Sequence, residues 1–178
     1  MTTKTYTRLQ LAADQLRAAV SLFIAGRDRF SVITLAGAAD VILSRLVLNS
    51  GQENFTDDII KLEALRTGIE RPRQEVGKAV NDMLLINALK HFDKGENGIV
   101  EIDDLEECAL AAILKAMANY VVLAGKKEDW VKVLFFWIRQ NPDLKKYCDP
   151  NWIEPKPAAE PQANITATPP PGSDPSGT

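Results

Sequence analysis

Residues 30–48 read FSVITLAGAADVILSRLVL, and this stretch decides the fold class. Its apolar side chains recur at three- and four-residue steps and occupy more than one face of a helix. Four small residues in its middle, 36–39, would let a neighbouring helix approach closely. We therefore predict a long helix that contacts other helices on more than one side.

Five further segments around this helix show the same kind of periodicity. The turn between the first two helices is only residues 26–29, which predicts that these helices are antiparallel neighbours. No segment alternates convincingly with the two-residue period of a strand, and residues 99–102 come closest to doing so. We predict an all-α, up-and-down bundle of five to six helices, over residues 7–25, 30–48, 56–71, 73–92, 103–124 and 128–140.

Several residues have the chemistry of helix ends. Gly26 suits the left-handed position that closes a helix, and Pro72 suits the first turn of the next one. Thr56 is a suitable N-cap for the third helix. Asp103, with Glu106 three residues later, forms the pattern of a capping box and predicts the start of the fifth helix.

Length and composition predict one domain rather than two. The chain has 178 residues, of which 46% are hydrophobic and 25% are charged, and these proportions are sufficient to bury a core. Beyond Pro150 the sequence becomes rich in Pro, Ala, Thr, Gly and Ser, a composition that cannot offset the entropy cost of ordering. We expect a helical bundle domain over residues 1–149 and a disordered, proline-rich tail over residues 150–178.

The charge of the body is balanced. The chain has 21 bases and 24 acids, and the segment from Asp149 onward contains one of the bases and four of the acids. The remaining 20 bases and 20 acids lack the broad positive footprint of a nucleic-acid-binding protein. The sequence has no apolar segment of signal-peptide type and no uninterrupted apolar stretch of about 18 residues. We therefore expect a cytoplasmic protein without a membrane segment.

The polar residues with the clearest chemical potential are Asn87 and His91. His91 is the one histidine of the chain, so a site with several histidines cannot form within one chain, and we expect no metal or cofactor. The two residues are four apart on the predicted fourth helix and would share a face that is otherwise apolar. Buried polar side chains need partners, so the pair is either satisfied by hydrogen bonds in the core or part of a polar site in a cleft or subunit interface.

The segments LAGAADVIL (35–43) and NALKH (87–91) resemble the HEPN family of helical domains, named for nucleotide binding in higher eukaryotes and prokaryotes. The resemblance covers roughly residues 8–124. It implies a short up-and-down bundle, commonly dimeric, and many members are metal-independent ribonucleases. The motif of that family is an arginine, a polar residue and then a histidine, which converge across a dimer interface. Asn87 and His91 match the last two, whereas Ile86 stands where the arginine belongs.

This resemblance implies two alternative functions. In the first, a degenerate, non-catalytic homodimer acts through protein–protein or RNA-associated contacts, and Asn87 and His91 are residues of an inherited cleft. In the second, a metal-independent ribonuclease uses His91 as the general acid and base and Asn87 to orient the phosphate. The second needs an arginine from elsewhere, either Arg45 or Arg66, because Ile86 cannot stabilise negative charge.

A third hypothesis comes from residues 93–104, DKGENGIVEIDD, which resemble an EF-hand calcium loop. Counting from Asp93, Gly98 occupies the sixth position, where the sharp turn requires glycine. Gly95 replaces the carboxylate of the third position, and Asp104 replaces the bidentate glutamate of the twelfth. A polar connection between two helices would use the same residues.

Two other clusters each have two interpretations. The basic stretch around Arg71 and Arg73 could bind phosphate, but the interspersed acids Glu70 and Glu75 favour a solvated helix boundary. The predicted sixth helix contains aromatic residues on several faces, namely Trp130, Phe135, Phe136 and Trp137. Packing in the core explains one of these faces, and a partner or dimer interface explains another.

Overall fold

Six α-helices make up most of the computed structural model of the protein, which describes residues 3–91, 97–141 and 144. No strand occurs in this described part, including residues 99–102, so the predicted all-α bundle is confirmed. In chain order the helices are α1 (Arg8–Ile24), α2 (Arg29–Asn49), α3 (Phe55–Thr67), α4 (Arg73–Met83), α5 (Leu105–Ala124) and α6 (Asp129–Gln140).

The centre of the bundle consists of α1, α2 and α5. Helix α2 packs along both α1 and α5, as the apolar residues on more than one of its faces predict. The small residues Ala36 and Ala39 are completely buried in this packing. Helix α6 covers one side, where the ring of Trp137 meets that of Phe23 edge-on at a centroid distance of 5.3 Å. This core is built almost entirely from aliphatic and aromatic side chains.

Helices α2 and α5 are also long and apolar enough, by length and composition alone, to cross a membrane. About half of each apolar window is buried against the rest of the bundle, 44% for α2 and 50% for α5. The same composition is expected of helices at the centre of a bundle, so it is weak evidence for a membrane segment.

Of three predicted helix ends, one is confirmed and two need correction. Gly26 has the predicted left-handed conformation, with φ of 66°. Helix α3 begins after Asn54 rather than at Thr56, because the Asn54 carboxamide and the Asp57 carboxylate form a reciprocal capping box. Helix α5 is capped by Asp104 rather than Asp103, and its Oδ1 accepts from the Glu107 N–H at 2.8 Å.

The predicted capping-box partner Glu106 has a different role. Its carboxylate accepts two hydrogen bonds from Arg29, one of them from Nη2 to Oε1 at 2.7 Å. The Arg29 guanidinium also lies over the ring of Phe23, with Cζ 4.4 Å from the centroid. Through its hydrogen bonds with Arg29, Glu106 therefore links the start of α5 to the start of α2.

The largest correction concerns the fourth helix, which was predicted over residues 73–92 and ends at Met83. Leu85 adopts a left-handed backbone conformation with φ of 60°, and residues 84–90 continue as successive turns. Leu84, Leu85 and Ile86 are all buried. A helix would direct three consecutive side chains to different sides, so the turns allow all three to enter the core.

Helices α3 and α4 form a hairpin, residues 55–83, on the side of the bundle. No residue of α3 is buried, and Val76 is the one buried residue of α4. On α3 the side chains of Leu62 and Leu65 are 61% and 84% exposed. The hairpin therefore has little apolar contact with the core.

The predicted tail, residues 150–178, lies outside the described residues, as do Cys148 and the end of the predicted domain at residue 149.

Candidate functional site

Asn87 and His91 lie beyond the end of α4 at Met83. Both belong to the turns that follow α4, and the His91 backbone N–H donates to the Asn87 carbonyl oxygen at 2.9 Å. The Asn87 side chain is half-buried and donates from Nδ2 to Asp82 Oδ1 at 2.7 Å. Hydrogen bonds from Lys78 and then from Asn87 hold the pKa of the Asp82 carboxyl below its usual value. The side chain of His91 is exposed, so it is not a histidine satisfied in the core, and the interpretation as part of a cleft or subunit interface stays a prediction.

Ile86 occupies the position at which a HEPN-type motif has its arginine. In the structure this residue lies in the core. It is 2% exposed, and it packs over Gly37 in the middle of α2. A Cβ atom built on Gly37 would lie 2.8 Å from Ile86 Cγ2, which is closer than van der Waals contact allows. Gly37 is thus required for the turns after α4 to dock on α2. The small residues of α2 were predicted to allow close approach of a helix, and at Gly37 it is a turn that approaches.

A buried polar network lies beside this contact. Lys115 of α5 is 4% exposed, and its Nζ donates to Asp40 Oδ2 of α2, which is 5% exposed. The same Nζ donates to Asn81 Oδ1 of α4 at 2.9 Å. Asn119, one helical turn after Lys115, donates from Nδ2 to Asp40 Oδ1 at 2.8 Å and accepts the Phe55 N–H at 2.9 Å. Four elements are therefore joined by one set of hydrogen bonds.

The network compensates the cost of burying two charges. A buried ion pair is stable only when its remaining donors and acceptors are also satisfied. Here both carboxylate oxygens of Asp40 accept a hydrogen bond, and Lys115 uses two of its three N–H groups. The network also positions the hairpin, because Asn81 and Phe55 are hairpin residues.

A second ammonium group lies close to this pair. Nζ of Lys90 is 3.4 Å from the position that a Gly37 Cβ would occupy, one helical turn before Asp40. Partial burial lowers the pKa of Lys90, and the nearby Lys115 adds to this effect, whereas Asp40 opposes it. The ammonium groups of Lys90 and Lys115 thus both interact electrostatically with the Asp40 carboxylate.

A cleft of about 540 Å³ with a mixed polar and apolar lining opens next to the network, between α2 and the α3–α4 hairpin. Its base contains Asp40, Asn81 and Lys115, and its walls carry Arg45 on α2 and Arg73 on α4. Arg73 is paired with Asp57. Among the described residues, Arg45 has no carboxylate within ion-pair distance.

An apolar groove of about 450 Å³ lies on another side of α5, next to α6. Its apolar lining consists mainly of Phe55, Leu114, Met117, Val121 and Phe135. The neighbouring surface of α6 exposes Val133 by 52% and Phe136 by 64%. The aromatic residues of α6 are thus divided, since Trp137 packs on Phe23 and Trp130 on Tyr120, whereas Phe136 faces outward.

The remaining predicted sites have local structural roles. Asp104 of the calcium-loop hypothesis caps α5, and Asn97 Oδ1 accepts from the Ile99 N–H at 3.0 Å. Asp93 and Gly95 lie outside the described residues. Within the described ranges there is no group of three or more His, Cys, Asp or Glu side chains that could hold a metal ion.

The basic stretch at the start of α4 forms ion pairs within the hairpin. Arg71 lies 3.6 Å from both Glu63 and Glu75, and Arg73 pairs with Asp57. This pattern fits the solvated helix boundary better than a phosphate site on Arg71.

Comparisons with protein-family models, curated proteins and solved structures found no match to this chain.

The buried network was missed by sequence reasoning, although a signal for it existed. Asp40 and Lys115 are charged residues of opposite sign in the middle of the two most apolar long helices. A charge in such a position is seldom buried without a partner, so each of the two residues predicts the other.

Proposed function

We propose that this protein is a non-catalytic, HEPN-like helical interaction domain that functions as a homodimer. The observation that carries the proposal is the burial of Ile86 against Gly37. The position from which the family's arginine would act points into the core, so even an arginine placed there could not reach a substrate without rearranging the turns.

The Asn87 position also favours a non-catalytic domain. Its carboxamide donates to Asp82, and this carboxylate beside it would repel a phosphate. The ribonuclease alternative requires a guanidinium beside His91. Arg45, one of the two candidates, lines the cleft beside Asp40, and the other, Arg66, lies in the last turn of α3.

The partner that the surface favours is a second copy of this chain. The apolar groove beside α6 provides a concave surface, and Phe136 on the adjacent outward face of α6 provides a convex one. In a two-fold symmetric dimer each copy contributes the same patch, so Phe136 of one protomer would fill the groove of its partner and the reverse. An apolar groove and a charge-balanced body favour a protein partner over RNA.

Two measurements on the full chain test the two halves of this proposal. For the absence of catalysis, we would incubate the protein with labelled single-stranded RNA in the presence of EDTA. We expect no cleavage above that of buffer alone. Cleavage that His91→Ala abolishes would establish the ribonuclease alternative instead.

For the homodimer, we would determine the molar mass by light scattering on a sizing column. We expect a dimer that Phe136→Ser converts to a monomer with unchanged helical content. The matched control is Met83→Ser, which also removes an exposed apolar side chain, 72% exposed, from a different surface. A monomeric wild type, or a dimer that both variants weaken equally, would contradict the proposed interface.

A further inference from the structure

The cleft between α2 and the α3–α4 hairpin has the chemistry of a binding site that the homodimer does not use. We propose that this cleft binds a small sugar-phosphate-like ligand, with the phosphate between Arg45 of α2 and Arg73 of α4 and the hydroxyl-bearing body along the polar walls. Ile86, Asn87 and His91 do not line this cleft, and Lys115 is the residue that it shares with the apolar groove.

The charges of the cleft favour an anion. The lining contains three cations, Arg45, Arg73 and Lys115, and one anion, Asp40, so its formal charge is about two positive units. Lys115 and Asp40 neutralise each other at the base. Asp57 likewise pairs with Arg73, so the uncompensated positive charge of the described lining is that of Arg45, which lies on a different helix from Arg73.

The arginines have hydrogen-bonding capacity for a phosphate. Arg45 is exposed and has no carboxylate partner among the described residues, so binding an anion would not require an existing ion pair to break. Arg73 is paired with Asp57, but a guanidinium has five N–H donors and can serve a carboxylate and a phosphate together. Planar guanidinium groups bind phosphate through two parallel hydrogen bonds.

The remaining lining distinguishes a sugar phosphate from a nucleotide. The walls carry hydroxyl and carboxamide side chains from Ser44, Thr56 and Gln74, beside the apolar side chains of Val41 and Leu48. No aromatic side chain belongs to the described lining, so nothing in it would stack on a base. The volume of about 540 Å³ lies in the range of small-molecule pockets. A polyol body therefore fits this lining better than a base does.

A ligand in this position would also connect two parts of the fold. The phosphate would bridge α2, which belongs to the core, and α4, which belongs to the weakly packed hairpin. Binding should therefore slow hydrogen exchange of the hairpin amides, because a ligand that binds the closed form stabilises it.

The test is calorimetric titration of the full chain with glucose 6-phosphate at low ionic strength. We expect one site per chain, no detectable binding of glucose, and weaker binding of AMP. Arg45→Gln should weaken binding by about ten-fold or more, as expected when a charge-assisted hydrogen bond is lost. The matched control, Arg139→Gln, removes an exposed arginine from α6, outside the cleft, and should change the affinity less than two-fold.

Three results would overturn the proposal. The first is no heat with millimolar glucose 6-phosphate. The second is an equal loss of affinity in Arg45→Gln and Arg139→Gln, which would indicate nonspecific attraction of anions. The third is tighter, Arg45-dependent binding of a single-stranded RNA oligonucleotide, which would assign the cleft to a nucleic acid. Arg45 is exposed, so circular dichroism should show the same thermal unfolding for Arg45→Gln and the wild type.

Discussion

The core helices and the α3–α4 hairpin are held in place by different forces. Helices α1, α2 and α5 bury a continuous set of apolar side chains, most of them completely. The hairpin buries only Val76 from its two helices and is joined to the core through Asn81 and the Phe55 N–H. Burial of apolar area supplies most of the free energy of folding, whereas hydrogen bonds mainly determine geometry.

The core therefore supplies the stability of the fold, whereas the hydrogen bonds of the buried network determine the position of the hairpin. The core can keep its fold while the hairpin moves, because few apolar contacts would be lost when the hairpin opens. The buried network nevertheless fixes where the hairpin rests, and with it the shape of the cleft between α2 and α4. We infer that the cleft is lined on one side by a rigid wall and on the other by a more easily displaced one.

The largest effect is expected where the two regions meet, at the Asp40–Lys115 pair. Asp40→Ala would leave the Lys115 ammonium buried without its carboxylate, which costs about 3–5 kcal/mol. Urea unfolding followed by circular dichroism measures this loss. The double variant Asp40→Ala/Lys115→Met removes both charges and should recover much of the stability. A double variant as unstable as the sum of the single variants would show that the two residues are not coupled.

The next prediction compares apolar side chains of the two regions. Ile113→Ala, at a fully buried position of α5, should lower the free energy of unfolding by about 2–5 kcal/mol. Leu65→Ala, at an 84% exposed position of α3, should change it by less than about 0.5 kcal/mol. Both values come from urea unfolding. Similar losses at the two positions would mean that the hairpin is as firmly packed as the core.

A smaller effect is expected at the contact of α2 with the turns after α4. Gly37→Ala places a methyl group 2.8 Å from Ile86 Cγ2, and such overpacking costs about 1–3 kcal/mol. The better helix propensity of alanine offsets up to about 1 kcal/mol of this cost.

Ile86→Ala supplies the control for this contact, since it removes both Cγ atoms. Gly37→Ala should be less destabilising in the Ile86→Ala background than in the wild type, as a double-mutant cycle would measure. Equal effects in both backgrounds would contradict the direct contact.

The smallest effects should appear at two equivalent caps, one in each region. Thr7 starts α1 and Asn54 starts α3, and both form capping boxes. Replacing either with alanine removes about 1 kcal/mol of helix stability. For Thr7→Ala this loss should appear in global unfolding, whereas for Asn54→Ala it should appear mainly as faster local hydrogen exchange in α3. Loss of global stability of equal size in both variants would show that α3 unfolds together with the core.

The sequence predicts the core better than the hairpin, for physical reasons. Helices α1, α2 and α6 begin and end within about two residues of their predicted bounds, because apolar periodicity and short turns are local signals. The predicted continuation of α4 to residue 92 is wrong, although Val76, Val80, Leu84, Asn87 and His91 follow helical spacing. Only the packing on Gly37, a contact between distant segments, favours the turn.

The candidate site depends even more on contacts between distant segments. Asp40 is 75 residues from Lys115 and 79 residues from Asn119 in the chain. Asn87 and His91 were selected because a helix would align them, and the structure places both in the turns beyond the end of α4 at Met83. Their assignment as catalytic residues stays a prediction, and the ribonuclease assay with His91→Ala tests it.

The most direct test of the difference between core and hairpin is native-state hydrogen exchange of the full chain, resolved by segment. The account predicts slow exchange in α2 and α5, much faster exchange in α3 and α4, and a further acceleration confined to residues 55–83 in Asn119→Ala, which removes the acceptor of the Phe55 N–H. Equal protection of α3 and α5, or an Asn119→Ala variant that accelerates exchange throughout the bundle, would contradict it.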